Sequence, residues 1–312
     1  MVVGMSLIQQ FARALNASEA EVIRFMSNAP NKYRVYTIPK RTSGHRVIAQ
    51  PSKELKTYQR VYLDLQTLPI HDAAMAYRDG IGIKQNAIAH QSHPYLLKLD
   101  LENFFNSISD TLLWTVWEKT LPLPSNEDRA TLEKLLFWCP SKKKSGSLIL
   151  SVGAPTSPLI SNFFMYQFDL DMSEICREKG ITYTRYADDL TFSTKERNVL
   201  FKTPEIVKHR LFSYFGHAIV LNNKKTKFSS RAYNRHVTGV TITNDNKISL
   251  GRARKRYIKH LLHQASLKKL PSEDISHLQG LLSFASHIEP DFLNALKKKY
   301  SDKLIKEVVG KK

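Results

Sequence analysis

The spacing of apolar residues changes several times along the chain, and these changes predict an α+β fold. Apolar positions that recur every three to four residues indicate amphipathic helices. This spacing occurs in residues 6–27, 52–68, 110–138 and 251–312. Short runs rich in β-branched and aromatic residues indicate strands. Such runs occupy residues 33–38, 45–49 and 95–99, and Ser18 with Glu21 has the spacing of a capping box.

Residues 182–193, TYTRYADDLTFS, predict a β-hairpin that carries two adjacent carboxylates, Asp188 and Asp189, at its tip. Aspartate is common in turns because its side chain can bond the local backbone, so a solvated turn is the simplest interpretation. A third carboxylate changes this interpretation, because Asp100 directly follows the apolar run at residues 95–99. If that run and the hairpin are neighbours in one sheet, the three carboxylates converge at one edge.

Three carboxylates in a shared site repel one another, which raises their pKa values. Divalent cations remove this penalty, and Mg²⁺ prefers hard oxygen ligands while keeping positions for water and phosphate groups. Two such ions about 3.5–4 Å apart can hold the attacking and leaving oxygens of a phosphoryl transfer. We therefore predict two Mg²⁺ ions held by Asp100, Asp188 and Asp189.

The balance of charges favours a polyanionic partner. The chain has 47 Lys and Arg against 28 Asp and Glu, a formal net charge of +19; this suits nucleic acid, with a merely basic surface as the alternative. The sequence shows neither the roughly 18-residue apolar run of a membrane helix nor the basic start of a secretory signal. We therefore expect a cytoplasmic protein without membrane contact. Cys139 and Cys176 stand apart, which argues against a zinc site or a disulfide.

Basic residues also gather in two local segments. The predicted hairpin at residues 33–49 places Lys40, Arg41 and Arg46 close together. These cations form either a solvated face or a clamp on phosphate oxygens, for which the planar arginine fork is well suited. Residues 252–256 open the last helical stretch with four cations, which suit contacts that position nucleic acid without identifying its sequence.

At these residues the chain resembles a known family. TRYADDLTFS, with KLDLENFF upstream, resembles the catalytic palm of reverse transcriptases, in particular of bacterial retron enzymes. Five further segments match blocks of that family in order: PSKELKTYQ, NAIAH, GAPTSP, LNNKKT and VTG. The resemblance covers about residues 30–300. One departure is Val152, which stands where a glutamine often precedes the glycine of the GAPTSP block and leaves template placement and fidelity open.

The resemblance implies roles for individual residues. Catalysis and metal binding are expected of Asp100, Asp188 and Asp189, with the Leu101 carbonyl as a further metal ligand and Lys225 assisting the departing pyrophosphate. The incoming nucleotide is expected to contact Arg46, Phe104, Phe105, Gly153 and Ala154, with Phe105 as a steric gate against a 2′-hydroxyl. Nucleic acid is expected to contact Lys53, Lys56, Asn86, His90, Ser157, Arg252, Arg254, Lys255 and Arg256. For Asn86 and His90, a scaffold role is the alternative.

The implied architecture is a right-hand polymerase. An N-terminal helical layer and the fingers are expected over residues 1–94, and a basic helical thumb over residues 246–312. The palm is expected over residues 95–245, with a helical insertion at about 106–150 and an antiparallel sheet that carries the Tyr-Ala-Asp-Asp hairpin.

The implied function is that of an RNA-directed DNA polymerase of the retron type. Such an enzyme uses deoxynucleotides to copy part of a cognate structured noncoding RNA, the msr-msd transcript, into single-stranded DNA (msDNA) from an RNA 2′-hydroxyl primer. In retron relatives the RNA–DNA product serves antiphage defence with an effector protein, so an effector encoded nearby is an expected partner. Two alternatives are a reverse transcriptase of another bacterial group and a non-catalytic RNA-binding module. NAIAH and VTG argue against the first, and the three carboxylates argue against the second.

Overall fold

The computed structural model describes residues 4–39, 44–143 and 146–310. Its helices are α1 (Leu7–Leu15), α2 (Glu19–Met26), α3 (Lys53–Leu65), α4 (Ile83–His90), α5 (Phe104–Ser107), α6 (Asp110–Trp117), α7 (Asn126–Leu136), α8 (Ser157–Phe164), α9 (Tyr166–Glu178), α10 (Thr203–Phe215), α11 (Arg252–Ser266), α12 (Ser272–Ile288), α13 (Pro290–Tyr300) and α14 (Asp302–Gly310). Its strands are β1 (Tyr33–Pro39), β2 (His45–Pro51), β3 (Tyr95–Asp100), β4 (Phe137–Trp138), β5 (Ile149–Leu150), β6 (Ile181–Tyr186), β7 (Asp189–Thr194), β8 (Lys227–Ser230), β9 (Arg235–Val237), β10 (Val240–Ile242) and β11 (Ile248–Ser249). None of these helices combines the length and the apolarity needed to cross a bilayer.

Residues 6–27, predicted as helical with a capping box at Ser18, form two helices. α1 ends because Asn16 adopts a left-handed conformation with φ of 50°. α2 begins because the Ser18 hydroxyl accepts a hydrogen bond from the Glu21 amide, while the Glu21 carboxylate accepts one from the Ser18 amide. The capping box predicted from the sequence is thereby confirmed. Both helices turn an apolar face toward Tyr58 of α3.

Residues 110–138, also predicted as helical, form α6 and α7 and then the short strand β4. Pro122 and Pro124 interrupt the helical pattern because proline lacks an amide proton and clashes with the preceding turn. Ser125 then caps α7 by accepting a hydrogen bond from the Asp128 amide at 3.1 Å. β4 pairs with β5, which closes this segment into a compact unit beside the central sheet.

A four-stranded antiparallel sheet in the order β6-β7-β3-β8 lies at the centre of the chain. β6 and β7 form the predicted hairpin, and β3 pairs with β7 so that Asp100 lies opposite Asp189. Leu97 and Phe192 lie opposite each other and are fully buried. Their burial fixes the register, because a one-residue slip would turn one strand's apolar side chains to the other face. The prediction that the 95–99 strand and the hairpin are neighbours is confirmed.

Both faces of the hairpin are buried. Tyr183, Thr184 and Arg185 are consecutive and all buried. Tyr183 donates a hydrogen bond to Asp169 of α9, whereas Thr184 lies within hydrogen-bonding distance of His90 of α4. Since neighbouring residues of a strand point to opposite faces, α9 and α4 cover the two sides of the sheet. Polar groups in this hairpin must therefore find partners inside the protein.

Apolar side chains form two cores. The larger core joins the N-terminal helices, the segment from α5 to α10 and the central sheet. The second core joins α11–α14 to the three-stranded sheet β11-β10-β9 and extends onto Ala87 and Leu96. It therefore includes Val237, which precedes the predicted start of the thumb at residue 246. The domain boundaries stay predictions.

β1 and β2 form a two-stranded antiparallel ribbon, as the sequence predicted. The base of the ribbon is anchored where the Ser151 hydroxyl donates to the Ala49 carbonyl. Arg46 lies on the exposed outer part of β2. Lys40 and Arg41, the other two cations of the predicted phosphate clamp, lie outside the described residues.

A buried ion pair between Arg185 of β6 and Asp169 of α9 joins the sheet to the helix layer. Both side chains are fully buried, and Arg185 Nε and Nη2 donate to Asp169 Oδ2 at 3.0 and 2.6 Å. The Tyr183 hydroxyl donates to Oδ1 of the same carboxylate at 2.7 Å, and Arg185 Nη1 donates to the Asn162 side-chain oxygen at 3.1 Å. These additional bonds are what makes a buried ion pair tolerable in a protein interior.

Substitution Asp169→Ala should destabilise the fold by about 3–5 kcal/mol, because it leaves the Arg185 guanidinium buried without its counter-charge. Urea unfolding followed by tryptophan fluorescence measures this effect. The matched control is Glu174→Ala on the same helix, which breaks an exposed ion pair with Arg177 and should change stability by less than about 1 kcal/mol. Similar small losses in both variants would contradict the structural role of the buried pair.

Candidate active site

The tip of the β6–β7 hairpin is a two-residue turn formed by Ala187 and Asp188. Such turns match the twist of the strands when a central residue has positive φ, and Ala187 has φ of 57°. This conformation is unfavourable for alanine. The Arg185 side chain offsets the strain by donating from Nη1 to the Ala187 carbonyl at 3.2 Å. The buried ion pair therefore also fixes the tip that carries the carboxylates.

Asp100, at the end of β3, lies beside this tip. Asp100 and Asp189 are directly opposite in the β3–β7 pair, a position in which Cβ atoms are about 4.5–5.5 Å apart. The next residue, Leu101, donates its amide to the Asp188 carbonyl at 2.9 Å. The three carboxylates thus start from adjacent backbone positions at one end of the sheet, as the sequence predicted. The role of the Leu101 carbonyl as a metal ligand stays a prediction.

Burial and mutual repulsion determine the electrostatics of this cluster. Burial raises the pKa of Asp188, and the neighbouring charges of Asp189 and Asp100 raise it further. Burial also raises the pKa of Asp189, where Lys98 acts in the opposite direction and Asp100 adds to the rise. The ionised carboxylates are therefore held against an electrostatic penalty, which a nearby cation reduces.

Lys225 supplies one positive charge to the cluster. Its Nζ lies 2.8 Å from Oδ2 of Asp100, and this hydrogen bond raises the pKa of Lys225. The bond is possible because the Asn222 amide donates to the Asp100 carbonyl at 2.8 Å and a 3₁₀ turn follows at Asn223–Lys225. Within the described part of the chain, no three His, Cys, Asp or Glu side chains form a ready metal cage. Cation binding here would therefore draw on water or substrate oxygens as well.

A cavity of about 380 Å³ beside the carboxylates has a cationic lining. The lining consists of Lys98, Leu99, Asp100, Asp189, Lys224, Lys225, Thr226 and Lys227. Four lysines against two carboxylates give this space an excess of positive charge, which suits a phosphate-bearing ligand. Lys98, Lys224 and Lys227 are contributions that the sequence analysis did not identify. Lys98 lies two residues before Asp100 on the same face of β3, whereas Lys224 and Lys227 reach Asp100 only through tertiary folding.

A second cavity, of about 330 Å³, lies between α3 and the loop before α8. It is lined by Lys56, Arg60, Tyr77, Phe105, Ser151, Val152, Gly153, Ala154, Pro155, Ser157 and Pro158. Gly153 has φ of 127°, a backbone conformation that residues with a side chain rarely adopt, so the course of this loop beside β2 favours glycine. Ser157 is 1% exposed, and its hydroxyl has no hydrogen-bond partner in the described residues. Its predicted contact with nucleic acid therefore stays a prediction, because the hydroxyl is buried in this structure.

Two adjacent phenylalanines predicted to contact the nucleotide have different environments. Phe105 lines the second cavity. Phe104 is 2% exposed and packs in the larger core, so its predicted nucleotide contact is corrected to a core position. Successive helical residues point about 100° apart, which is why only one of the two faces the cavity. On α3, Lys56 lines the same cavity, whereas Lys53 is exposed outside it.

Tyr77 is a candidate site residue that the sequence analysis missed. It has φ of 61°, and its ring centroid lies 6.4 Å from that of Phe105. Burial raises the pKa of Tyr77, the charge of Asp188 raises it further, and Arg46 acts in the opposite direction. Tyr77 therefore lies within electrostatic range of both a catalytic carboxylate and a predicted nucleotide contact. The available signal was a large aromatic residue in a loop with two glycines.

Asn86 and His90, predicted either to contact nucleic acid or to serve as scaffold, are fully buried in α4. Burial prevents contact with a bound strand, which corrects the first interpretation and supports the second. His90 Nε2 lies 2.7 Å from the Thr184 hydroxyl, and His90 Nδ1 lies 2.7 Å from the Ser193 hydroxyl. The Thr184 hydroxyl donates in turn to the Asn86 side-chain oxygen at 2.6 Å. α4 is thus bonded to both strands of the hairpin.

These hydrogen bonds determine where the protons are. The Thr184 hydroxyl gives its proton to Asn86 and therefore accepts from Nε2 of His90. Nδ1 of His90 then accepts from Ser193, whose oxygen accepts from Nδ1 of His93 at 2.7 Å. The arrangement requires a neutral His90. Burial, with a smaller effect of His93, lowers the pKa of His90 to about 3.

The four cations predicted at the start of the last helical stretch divide into two pairs on α11. Arg252 and Arg256 are exposed. Lys255 forms an ion pair with Glu289, and Arg254 donates to a backbone carbonyl and lies over an aromatic ring of the second core. Arg254 and Lys255 therefore each have a partner within the protein, whereas Arg252 and Arg256 are exposed. The nucleic-acid contacts of all four residues stay predictions.

The fold and the site together define a class of protein. A central antiparallel sheet presents carboxylates from a hairpin tip and a neighbouring strand end, and two of them line a cavity with four lysines. Residues 38–242 match the family described as "Reverse transcriptase (RNA-dependent DNA polymerase)". The match covers more than half of the chain, and the chain belongs to this family of RNA-directed DNA polymerases.

Within that family the chain is a retron reverse transcriptase. It is 50% identical to the Retron Ec83 reverse transcriptase of Escherichia coli over 284 residues, which cover 90% of this chain and 91% of that protein. It is 30% identical to the Retron Ec73 reverse transcriptase of Escherichia coli over 308 residues, with coverage of 95% and 94%. It is 29% identical to the Retron Mx65 reverse transcriptase of Myxococcus xanthus over 301 residues, with coverage of 91% and 68%. These similarities confirm the family and the α+β polymerase fold predicted from the sequence.

Substitution His90→Gln should change how the free energy of unfolding depends on pH. The pKa of His90 is about 3 in the folded protein against 6.5 for an ordinary histidine, so the unfolded chain binds the proton more readily. The stabilising effect of His90 is therefore fully present above pH 6.5 and is lost as pH falls toward 3. The stability advantage of the wild type over the variant should shrink with acidification, approaching about 1.4 kcal/mol for each pH unit.

Urea unfolding at a series of pH values from neutral to acidic measures this difference. The control His209→Gln changes an exposed histidine of α10 and should alter stability by less than about 0.5 kcal/mol. A stability difference between wild type and His90→Gln that does not vary with pH would contradict a neutral buried His90.

Proposed function

We propose that this retron reverse transcriptase copies part of a cognate structured noncoding RNA into single-stranded DNA by two-metal phosphoryl transfer, starting from an RNA 2′-hydroxyl. The observation that carries the proposal is the meeting of Asp100, Asp188 and Asp189 at one end of the central sheet. Two adjacent cavities support it, since one has a cationic lining for phosphates and the other combines aromatic and backbone surfaces for a nucleoside.

The carboxylates fit Mg²⁺ in charge and in ligand type. Mg²⁺ is usually held by one or two carboxylates, with water and substrate phosphates at the remaining positions, so a complete protein cage is not required. The raised pKa values of Asp188 and Asp189 are typical of carboxylates that lack full compensation by positive charge. Two Mg²⁺ ions at these residues would supply the charge that activates the primer hydroxyl and stabilises the departing pyrophosphate.

The side chains of this protein position the reactants. Asp100, Asp188 and Asp189 provide the proposed metal ligands, and the Leu101 carbonyl is a further donor. Lys225, which lies 2.8 Å from Asp100, would give a proton or positive charge to the leaving pyrophosphate. Phosphoryl transfer of this kind depends on positioning and charge stabilisation, so no protein nucleophile is needed.

The second cavity is the proposed seat of the nucleotide and the template. The Phe105 ring would lie against the sugar, with Gly153 and Ala154 forming a backbone wall. Arg46 does not line this cavity and would contact the triphosphate from the exposed part of β2. The unpartnered Ser157 hydroxyl and the cation of Lys56 would contact the nucleic-acid side of the same cavity, as residues of its lining. Each predicted contact residue that lines the cavity is thereby assigned either to the nucleotide or to the nucleic-acid strand.

The RNA partner is proposed from the retron relatives and from the net charge of +19. We expect an msr-msd transcript and its RNA–DNA product to bind along the basic surface. Arg252 and Arg256 on α11 and Lys53 on α3 are exposed and would contact phosphates, which position a strand without identifying its sequence. On the resemblance to retron enzymes alone, we further propose an antiphage role together with a separately encoded effector protein.

Substitution Asp188→Asn should reduce deoxynucleotide incorporation on a primed RNA template with Mg²⁺ by about a thousandfold, because it removes a charged metal ligand. Removal of Mg²⁺ with a chelator should abolish incorporation by the wild type. The same variant should unfold at an equal or higher urea concentration than the wild type, because the neighbouring carboxylates no longer repel a charge at this position.

The control for this variant is Asp245→Asn, which removes a carboxylate from the exposed turn between β10 and β11 and should leave incorporation unchanged. Equal incorporation by the wild type and Asp188→Asn would contradict the site. An absence of incorporation by the wild type on the RNA that copurifies with it would favour a binding module. A heterogeneous pool of copurifying RNA would favour a differently primed reverse transcriptase.

Substitution Phe105→Ala should raise the incorporation of ribonucleotides relative to deoxynucleotides by about tenfold, because it removes the ring proposed to clash with a 2′-hydroxyl. Single-nucleotide extension with each substrate measures the two efficiencies. The ratio is its own control, since a general loss of activity lowers both efficiencies together. An unchanged ratio would show that Phe105 does not contact the sugar.

A further inference from the structure

An apolar groove of about 260 Å³ lies at the outer edge of the central sheet, away from both catalytic cavities. Its lining comes from the start of β3, the segment after β7, and β8 with the residues that follow it: Tyr95, Leu96, Glu196, Asn198, Leu200, Phe201, Phe228, Ser229, Ser230 and Tyr233. β8 is the edge strand of the sheet, and its Phe228 lies opposite Leu97 of β3. Opposite residues point to the same face, so Phe228 extends the apolar face of the sheet past the point where helices cover it.

The aromatic rings of this groove are unusually exposed. Tyr233 is 73% exposed, Phe201 is 62% exposed and Phe228 is 43% exposed. Phe201 and Phe228 contact each other, with ring centroids 5.3 Å apart. Scattered exposed apolar residues are normal on a protein surface, but a cluster of three exposed rings at one groove indicates a binding surface.

Cations flank the groove without lining it. The Arg197 Nε donates to the hydroxyl of the lining residue Tyr95 at 2.8 Å. Each of three further exposed cations is the chain neighbour of a lining residue: Lys195, Lys202 and Arg231. The one charged residue among the described lining residues is Glu196. The surface therefore combines accessible aromatic faces with flanking cations that outnumber this carboxylate.

We propose that this groove is a stacking platform for an unpaired strand of nucleic acid. Base–aromatic stacking beside cations is the general mode by which proteins hold single strands without sequence preference. A protein partner that docks on an apolar groove would not require a cationic surround, and the excess positive charge therefore favours a polyanion.

The platform is separate from the catalytic cleft. Tyr95 begins β3 and Asp100 ends it, and five residues of extended strand span about 17 Å. A duplex has its bases stacked inside and offers mainly phosphates, so a hybrid in the cleft cannot use these rings. An unpaired RNA or DNA segment outside the hybrid can stack on these rings. The groove would hold that segment at the start of β3 while synthesis proceeds at the end of β3 that carries Asp100.

The test uses the whole protein with its cleft filled by excess unlabelled RNA–DNA hybrid. Fluorescently labelled oligouridylate and oligodeoxythymidylate then report binding outside the cleft through fluorescence anisotropy. The double variant Phe201→Ser, Tyr233→Ser should weaken binding by about tenfold or more, as expected for lost stacking. Loss for both oligonucleotides identifies any unpaired strand as the ligand, and loss for oligouridylate alone identifies RNA.

The matched control is Phe212→Ser, which removes a 56% exposed ring of α10 that does not line the groove. It should leave both affinities unchanged. The double variant and the Phe212→Ser control should both retain deoxynucleotide incorporation on a short primed template. Retained incorporation shows that the fold is intact, and it separates this proposal from the proposed catalytic function. Wild-type affinity of the double variant for both oligonucleotides would overturn the proposal. Loss of a copurifying protein from the double variant, with both affinities unchanged, would also overturn it, because the groove would then bind a protein.

Discussion

The repulsion among three carboxylates at one end of a sheet is the constraint on which the rest of this structure depends. A flexible turn would relieve it by letting Asp188 swing away, so the tip must be held from below. Arg185 does this through a backbone contact, the hydrogen bond from Nη1 to the Ala187 carbonyl. Its charge is already compensated by Asp169. Arg185 therefore fixes the tip without neutralising the carboxylates, which stay in need of cations.

The opposite face of the hairpin is supported without any charge. Thr184 and Ser193, one from each strand, are bonded through the neutral ring of His90. The chain of bonds continues from Asn86 Nδ2 to the Thr238 hydroxyl at 3.4 Å, which joins the turn between β9 and β10 to the hairpin. A charged histidine here would add a buried charge with no carboxylate partner among these contacts. Paired ions on one face and neutral hydrogen bonds on the other thus hold the hairpin without altering the field at its tip.

The sequence predicted the elements of the fold that depend on local patterns. The hairpin, the capping box at Ser18 and the ribbon of β1 and β2 all follow from periodicity and turn chemistry, which act over a few residues. The meeting of Asp100 with the hairpin tip was predicted from the positions of the three carboxylates. Asp100 follows an apolar strand, and Asp188 and Asp189 lie between the two strands of the hairpin. Patterns of this kind do not show every break, since residues 110–138 were predicted as helical but form two helices and the short strand β4.

Side-chain environments were harder to predict because they depend on contacts between distant segments. Nothing local distinguishes Phe104 from Phe105, yet one is a core residue and the other lines a cavity. The resemblance to a retron block left Asn86 and His90 open as nucleic-acid contacts or scaffold, and Thr184 and Ser193 bond them in the interior. Those partners lie about a hundred residues away in the chain, and burial was visible only once the fold placed α4 against the hairpin.

The distribution of charge suggests how one basic surface can treat two forms of nucleic acid differently. Near the carboxylates, Lys98 and Lys225 act on acidic side chains, so the positive field there is partly used within the protein. At the groove of β8, Arg197 contacts the lining residue Tyr95, and the lining itself has exposed rings and a single carboxylate. Phosphates are common to duplex and single strand, whereas accessible base faces belong to the single strand alone. Discrimination between the two forms therefore rests on the aromatic residues, and the shared positive charge only brings nucleic acid to the surface.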